Sequence, residues 1–545
     1  MSGRSGAGSG VPGASSLVKH GSVLSLLTLG SRVLGLAREM AKASLLGTSA
    51  LSDAFSVAFM LPNLFRRLFA EGSIAVAFIP TFKEYLIADA GGPGGGKEPG
   101  KDDGSIREFL SCIFTFLTFF VSLAVGIGIL ASPLIIPVFG MEAPGETVLL
   151  TRIMFPFLAF ISVAALFQGI LNSVHIFAPS GLAPILLNLV TIICAYALSP
   201  FTENPARAMA VGILIGGFLE AAVQFPFVFK AGYRFFFTGL GRALRNPGTR
   251  KVLRLVGPTI IGMAAYQLND LVSTALAGNA GEGVVSSLQY SLRLQELILG
   301  VFAVSIGTVL LPDLAGDAKT GNWPRYNERL VSAMDIIALI TIPITFFSLA
   351  QGDTLIRLLF AARSFDENSV ALTLSAFHFH MPGLFFIALN RILAPAFYAQ
   401  SDSKSPTLAG IISFAVNMAL AAALVGPLRG SGVALALTLA SAVNTALLLA
   451  FLRKNPSIAI GKALGPALLY TAKLAVFSAA ASAPVLFLSP RLLSAFSGRG
   501  RLVSYGIPFA INALVFALAG ISLLALTRDK QAVAVARALR KIRKR

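Results

Sequence analysis

Charge is what this 545-residue chain has least of. Only 13% of its residues are Asp, Glu, Lys or Arg, against 55% hydrophobic, whereas a water-soluble protein keeps about 25% charged. With a mean hydropathy of +0.78, that scarcity excludes an ordinary globular domain. Cysteine is almost missing: Cys112 and Cys194 both lie in apolar segments with no metal-ligand spacing, so a disulfide framework and a zinc module are excluded and packed core residues are expected. Of the four histidines, His378 and His380 are two apart, on opposite faces of a helix, and cannot share a metal, while His20 and His175 stand alone near span ends. No glycine-rich phosphate loop, nucleophile elbow or nucleotide-binding domain is found. Enzyme chemistry, a cofactor and a bound metal are therefore not expected. Any work must draw on a coupling cation (Na or H), the membrane potential or the cargo's own gradient, unless a partner hydrolyses ATP.

Long apolar runs take up the rest. A helix needs about 20 residues to cross roughly 30 Å of hydrocarbon, and continuous rather than alternating runs point to helices. The reading is an all-α polytopic membrane protein of about fourteen transmembrane helices, near 19–46, 50–84, 107–138, 145–172, 180–199, 206–230, 251–277, 284–312, 328–350, 367–398, 405–426, 431–453, 467–488 and 502–526. An even number places both termini on one side. The net charge of +19 collects in the tail from Arg528, in the linker carrying Arg234, Arg242, Arg245 and Arg250, and around Arg453, Lys454 and Lys462. By the positive-inside rule that side is cytoplasmic, and nucleic acid is not the partner. Residues 1–16 read as a disordered tail and 528–545 as a basic cytoplasmic tail, solvated or lying as an amphipathic helix on an anionic leaflet.

Two internal echoes share an offset of about 230 residues. Phe69 to Pro80 resembles Phe302 to Pro312, and Phe167-Gln168-Gly169-Ile170-Leu171-Asn172 resembles Phe397-Tyr398-Ala399-Gln400-Ser401-Asp402. They predict two pseudo-symmetric six-helix lobes of like orientation around a central cavity, 17–235 and 236–455, with two further helices in 456–527 outside the repeat.

Arginines interrupt the first apolar runs, where a mid-bilayer cation costs roughly 2.5–3.5 kcal/mol on insertion scales. Arg32 and Arg38 sit in one run, Arg66 and Arg67 in the next, Arg293 and Glu296 at i,i+3 in the eighth, and Arg391 in the tenth; Asp53 opens the second. Arg67 and Glu71 are i,i+4 neighbours. One reading is a set of buried structural ion pairs. The other is a cationic cavity for an anionic cargo, favoured because arginines outnumber nearby acids and suit bidentate capture of phosphate oxygens. Asp270, Glu220 and Asp335 read as isolated intramembrane acids that a cation or proton could use, Asp270 foremost because Gln267, Asn269 and Ser273 accompany it.

The segments Ser31-Arg32-Val33-Leu34-Gly35-Leu36-Ala37-Arg38, Asp53-Ala54-Phe55, Leu61-Pro62-Asn63-Leu64-Phe65-Arg66-Arg67 and Leu393-Ala394-Pro395-Ala396-Phe397-Tyr398-Ala399 closely resemble the MurJ (MviN) family of the multidrug/oligosaccharidyl-lipid/polysaccharide exporter superfamily. The resemblance spans most of 17–455. It implies a flippase that moves lipid II, undecaprenyl-pyrophosphate-linked disaccharide pentapeptide, from the cytoplasmic to the periplasmic leaflet of the bacterial inner membrane by alternating access. It further implies a lipid-tail groove formed by 456–527, and Arg32, Arg38, Asp53, Arg66, Arg293, Glu296 and Arg391 as substrate-binding positions. Membrane lipids and the cell-wall synthesis machinery are the other partners it implies. Some members resemble sodium-coupled carriers; the matching positions here are Ser273, with Asp270 a turn away, Asn417 and Thr438, with Ala421 in place of a polar partner, so an ion site is a departure from their pattern. A flippase for another lipid-linked oligosaccharide, or an ion-coupled multidrug exporter of the same superfamily, is the alternative.

Overall fold

Once water is gone, a backbone N–H or C=O in an apolar run finds a partner only within its own helix. The computed structural model describes residues 14–68, 77–89, 104–458, 460–529 and 531–533, and all regular structure among them is helical. The helices are α1 (Ala14–Leu46), α2 (Ala50–Phe65), α3 (Ile79–Asp89), α4 (Gly104–Ile135), α5 (Pro144–Met154), α6 (Phe157–Ser173), α7 (Ala178–Ala197), α8 (Pro205–Lys230), α9 (Leu240–Arg245), α10 (Pro247–Gly278), α11 (Val284–Lys319), α12 (Trp323–Phe360), α13 (Glu367–His380), α14 (Gly383–Ala399), α15 (Lys404–Leu428), α16 (Gly430–Leu452), α17 (Ile460–Ala495) and α18 (Ile507–Leu526). They pack as two compact units. One comprises residues up to Lys42, 57–137 and 143–267; the other comprises 43–56, 138–142 and 268–545.

Nine helices among the described residues are long and apolar enough to cross a membrane, ten if α13 and α14, bent by 46° at their junction, count as one. The other expected spans fall on α1, on α2 with α3, on α10 and on α11. Residues 69–76 lie outside the described residues, so Glu71 and most of the first half of the Phe69 echo are not placed. The two helices that carry the second echo end alike, although their caps align Leu171 with Phe397, one helical turn out of register with the Phe167–Phe397 sequence match. After α6 the amide of Ile176 donates to Leu171 O at 2.9 Å with His175 left-handed (φ 64), and after α14 the amide of Asp402 donates to Phe397 O at 3.0 Å with Ser401 left-handed (φ 61). Both helices end in the same Schellman-type cap.

In the first unit, close packing rests on small residues. A Cβ at Gly212 of α8 would stand 2.8 Å from Cys194 Cβ, and one at Gly216 would stand 2.8 Å from Leu187 Cδ1 and 3.2 Å from Leu187 Cα, both on α7. Gly212-Ile213-Leu214-Ile215-Gly216 is thus a GxxxG interface. Phe78, Phe82 and Phe109 stack between α3 and α4, with Leu166 and Ile170 of α6 in the same cluster. In the second unit α12 is the spine for the last two helices. Ala338 and Ile342 pack on Leu474 of α17, Phe347 meets Phe516 of α18, and the buried amide of Asn512 donates to Gln351 Oε1 at 3.1 Å. Leu514, Leu518 and Ile521 of α18 are more than half exposed, an apolar surface suited to lipid.

Candidate functional site

In the first unit the expected cations lie on α1 and at the end of α2. Arg32 is half-buried and, among the described residues, forms no hydrogen bond or ion pair. Arg38 differs. Its Nη2 pairs with Glu39 Oε1 at 2.9 Å, and its guanidinium lies 5.4 Å from the Phe59 ring centroid, so charge and cation–π contact hold it on the α2 side. Past Pro62 the helix widens into a π-type turn over 66–68, which brings Arg66 Nε to Asn63 Oδ1 at 2.7 Å. The acid expected beside Arg67, Glu71, lies outside the described residues.

In the second unit Arg293 Nη1 and Glu296 Oε2 are 3.4 Å apart on α11 with both side chains partly exposed, as their spacing predicted. Arg391 on α14 is exposed and has no side-chain partner among the described residues. Asp53 has a use the sequence did not reveal. Its Oδ2 accepts from the Gly283 amide at 2.8 Å and its Oδ1 from the Ser286 amide at 2.7 Å, so this buried carboxylate caps the N-terminus of α11. Acids there satisfy otherwise orphaned amides and oppose the positive end of the helix dipole. Across the same contact Glu282 Oε1 accepts from the Ala50 amide at 2.8 Å, at the start of α2. Each of two helices is capped by an acid from the other's turn. Tyr290 supports the arrangement by donating its hydroxyl to Gly47 O at 3.1 Å. Gly47 (φ +57) cannot be replaced there, since a Cβ would stand 2.2 Å from Ser364 O. The signal for Glu282 was present: an acid in a glycine-rich loop directly before a helix start.

The ion-coupling candidates are only partly brought together. Asn417 Nδ2 donates to Asn269 Oδ1 at 2.7 Å and to Ser273 Oγ at 3.1 Å, joining α15 to α10, while Asp270 is exposed. Thr438 instead donates to Phe379 O at 2.7 Å, at the α13–α14 bend. Ala421 is fully buried and offers no oxygen. His380 is buried with Nδ1 2.7 Å from Ser291 Oγ, a structural contact. Asp335, expected to be isolated, accepts from Gln531 Nε2 at 3.0 Å, because α12 reaches the segment that follows α18. No group of three or more His, Cys, Asp or Glu among the described residues is placed to hold a metal.

The family described as lipid II flippase MurJ matches residues 42–499. The chain belongs to that family. A relative in Treponema pallidum (strain Nichols), named as a probable lipid II flippase MurJ, is 45% identical over 526 residues, covering 96% of this chain and 99% of that one. The lipid II flippase MurJ of Burkholderia cenocepacia is 33% identical over 392 residues, 70% of this chain and 73% of its own. A solved lipid II flippase MurJ in an inward closed conformation is similar with a TM-score of 0.74 at 25% identity, covering 93% of this chain and 99% of that structure. An inward-facing multidrug transporter of the MATE family shares the fold, with a TM-score of 0.64 at 13% identity over 79% of this chain and 96% of its own. Within the MurJ family the chain is a multi-pass membrane transporter rather than an enzyme. Of the arginine-marked helices, α2, α11 and α14 lie within the matched region, while Arg32 and Arg38 of α1 precede it and fall within the reach of the Treponema relative, which covers 96% of this chain.

Proposed function

We infer that the protein is a lipid II flippase, carrying the undecaprenyl-pyrophosphate-linked peptidoglycan precursor from the cytoplasmic to the periplasmic leaflet of a bacterial inner membrane by alternating access. Membership of the MurJ family supports the cargo. The observation that carries the chemistry is Arg32: a guanidinium in an apolar helix, half-buried, with no acid or carbonyl among the described residues bonded to it. A cation left so in a membrane awaits an anion, and the pyrophosphate of lipid II is the right kind. Arg38, Arg66, Arg293 and Arg391 then add charge and planar donors, with Glu39 and Glu296 keeping Arg38 and Arg293 oriented between substrates. Asp53 serves the reading indirectly, by holding the turn that precedes α2 against the start of α11.

The polyprenyl tail needs an apolar path, and the exposed leucines of α18 support the 456–527 pair as that groove. Both termini are read as cytoplasmic from the lysines and arginines of the alternating loops. Against coupling through sodium at Asn417 and Ser273, Thr438 donates to Phe379 O instead and Ala421 brings no ligand. The membrane potential acting on the cationic residues is the simpler drive.

A leaflet-resolved lipid II accessibility assay on cells depleted of the native protein tests the reading. The wild-type chain should expose lipid II on the outer leaflet, and Arg32→Ala should leave it on the inner leaflet while membrane levels of the protein stay normal. Full outward exposure by Arg32→Ala together with Arg293→Ala would sink the arginine mechanism.

A further inference from the structure

Residues 230–254, at the end of the first unit, hold seven Lys and Arg and not one Asp or Glu. Between α8 and α9 the chain is extended, and its path is fixed by α4. The amide of Phe236 donates to Ser111 Oγ at 3.2 Å and that of Thr238 to Thr115 Oγ1 at 3.0 Å, so the segment climbs α4 in the helix's own direction. Phe235 turns inward onto Phe114, ring centroids 4.7 Å apart. Phe236 turns out, 49% exposed; Phe237 leans one edge on Phe114 at 5.0 Å yet stays 67% exposed, and Leu244 on α9 is 37% exposed. Arg107 of α4 lies over Phe236 at 4.9 Å. Arg234, Arg242 and Arg245 are exposed and form no side-chain hydrogen bond or ion pair with any described residue.

The depth of this surface follows from α4. With the turn that continues it, the helix runs 36 residues, about 54 Å at 1.5 Å per residue, against roughly 30 Å of hydrocarbon. Shared equally, the excess is about 12 Å at each end, and Ser111 and Thr115 lie about 10–17 Å from the helix start. The outward phenylalanines therefore meet the boundary between acyl chains and headgroups, where aromatic rings are favoured and arginines reach back toward phosphate.

We propose that residues 234–245 form a binding surface for anionic phospholipid headgroups: Phe236, Phe237 and Leu244 enter the acyl boundary while Arg234, Arg242 and Arg245 take the lipid phosphates. Charge complementarity sets the class: Lys251 of the run pairs with Glu84 of α3, but Arg234, Arg242 and Arg245 have no acid partner among the described residues and gain from an anionic leaflet what a zwitterionic one cannot give. None of these residues is among those assigned to the cargo, and the proposal does not depend on which lipid-linked glycan is moved.

The test uses the full chain in lipid nanodiscs, with Phe237→Trp as the sole indole in a Trp323→Phe background. Phosphatidylglycerol or phosphatidylcholine with brominated acyl chains is supplied at equal, low mole fraction. Quenching by brominated phosphatidylglycerol should exceed that by brominated phosphatidylcholine several-fold, and Arg242→Ala with Arg245→Ala should bring the two close to parity without moving the unfolding temperature. Equal quenching by the two lipids would overturn headgroup recognition, and no quenching by either would overturn insertion. Native mass spectrometry of the unsubstituted chain gives an independent readout: retained phosphatidylglycerol should fall in the double arginine variant, and unchanged retention would count against the site.

Discussion

At the scale of single residues the molecule separates two kinds of charge. Arg293 and Glu296 pair at 3.4 Å with side chains 35% and 56% exposed, a geometry worth about 0–1 kcal/mol. Arg293→Ala should therefore leave thermal unfolding in detergent almost unchanged while abolishing lipid II exposure on the outer leaflet; a large drop in stability would reassign the pair to structure. Asp53 is the opposite case. Asp53→Ala leaves the Gly283 and Ser286 amides without their acceptor and should cost roughly 1–2 kcal/mol, read as a lower unfolding temperature, with Asp53→Asn losing less. The arginines were legible because a cation in an apolar run stands out in a linear reading. The role of Asp53 was not, since its partners are some 230 residues away and nothing local distinguishes a capping acid from a cavity acid.

At the scale of elements, continuous apolar runs were enough to foresee helices, but not where they break. The span expected over 145–172 is α5 and α6 with a seam at Phe155–Pro156, and that over 367–398 is bent by 46° between His380 and Gly383. Hydropathy averages over such seams, while the proline and the packing partners that set them are local. Helix pairing was equally hidden until the glycines of α8 were seen against α7. Gly216→Leu should force α7 and α8 apart at the cost of about 1–3 kcal/mol from overpacking, measured as earlier thermal aggregation of purified protein; Gly216→Ala should fall between. No change in either variant would mean that this interface does not limit stability.

At the scale of the whole molecule, family membership settles more than the spans alone do, because a multidrug transporter shares the helical fold while the family match and the 45% identical relative separate the two. The chain's C-terminal end offers a check on assembly. Beyond α18, Asp529 is nearly buried. Burial alone raises its pKa, but Lys473 Nζ at 2.7 Å and the Ala532 amide at 3.0 Å outweigh it, so the carboxyl stays below its ordinary value. A depressed carboxylate contributes stability fully above its unfolded value, near 4, and loses it as pH falls through the folded value. The hydrogen-exchange protection factors of residues 531–533 should thus fall only on acidification below about pH 4, whereas Asp529→Asn should show the lower protection already at neutral pH.

The mutual caps between α2 and α11 carry one more consequence. Residues 43–56 are bound to the second unit although the bodies of α1 and α2 belong to the first. Within that unit Asp53 and Glu282 fasten the start of α2 to the start of α11 from both sides, so the loss of either acid leaves the other still clasping the turn.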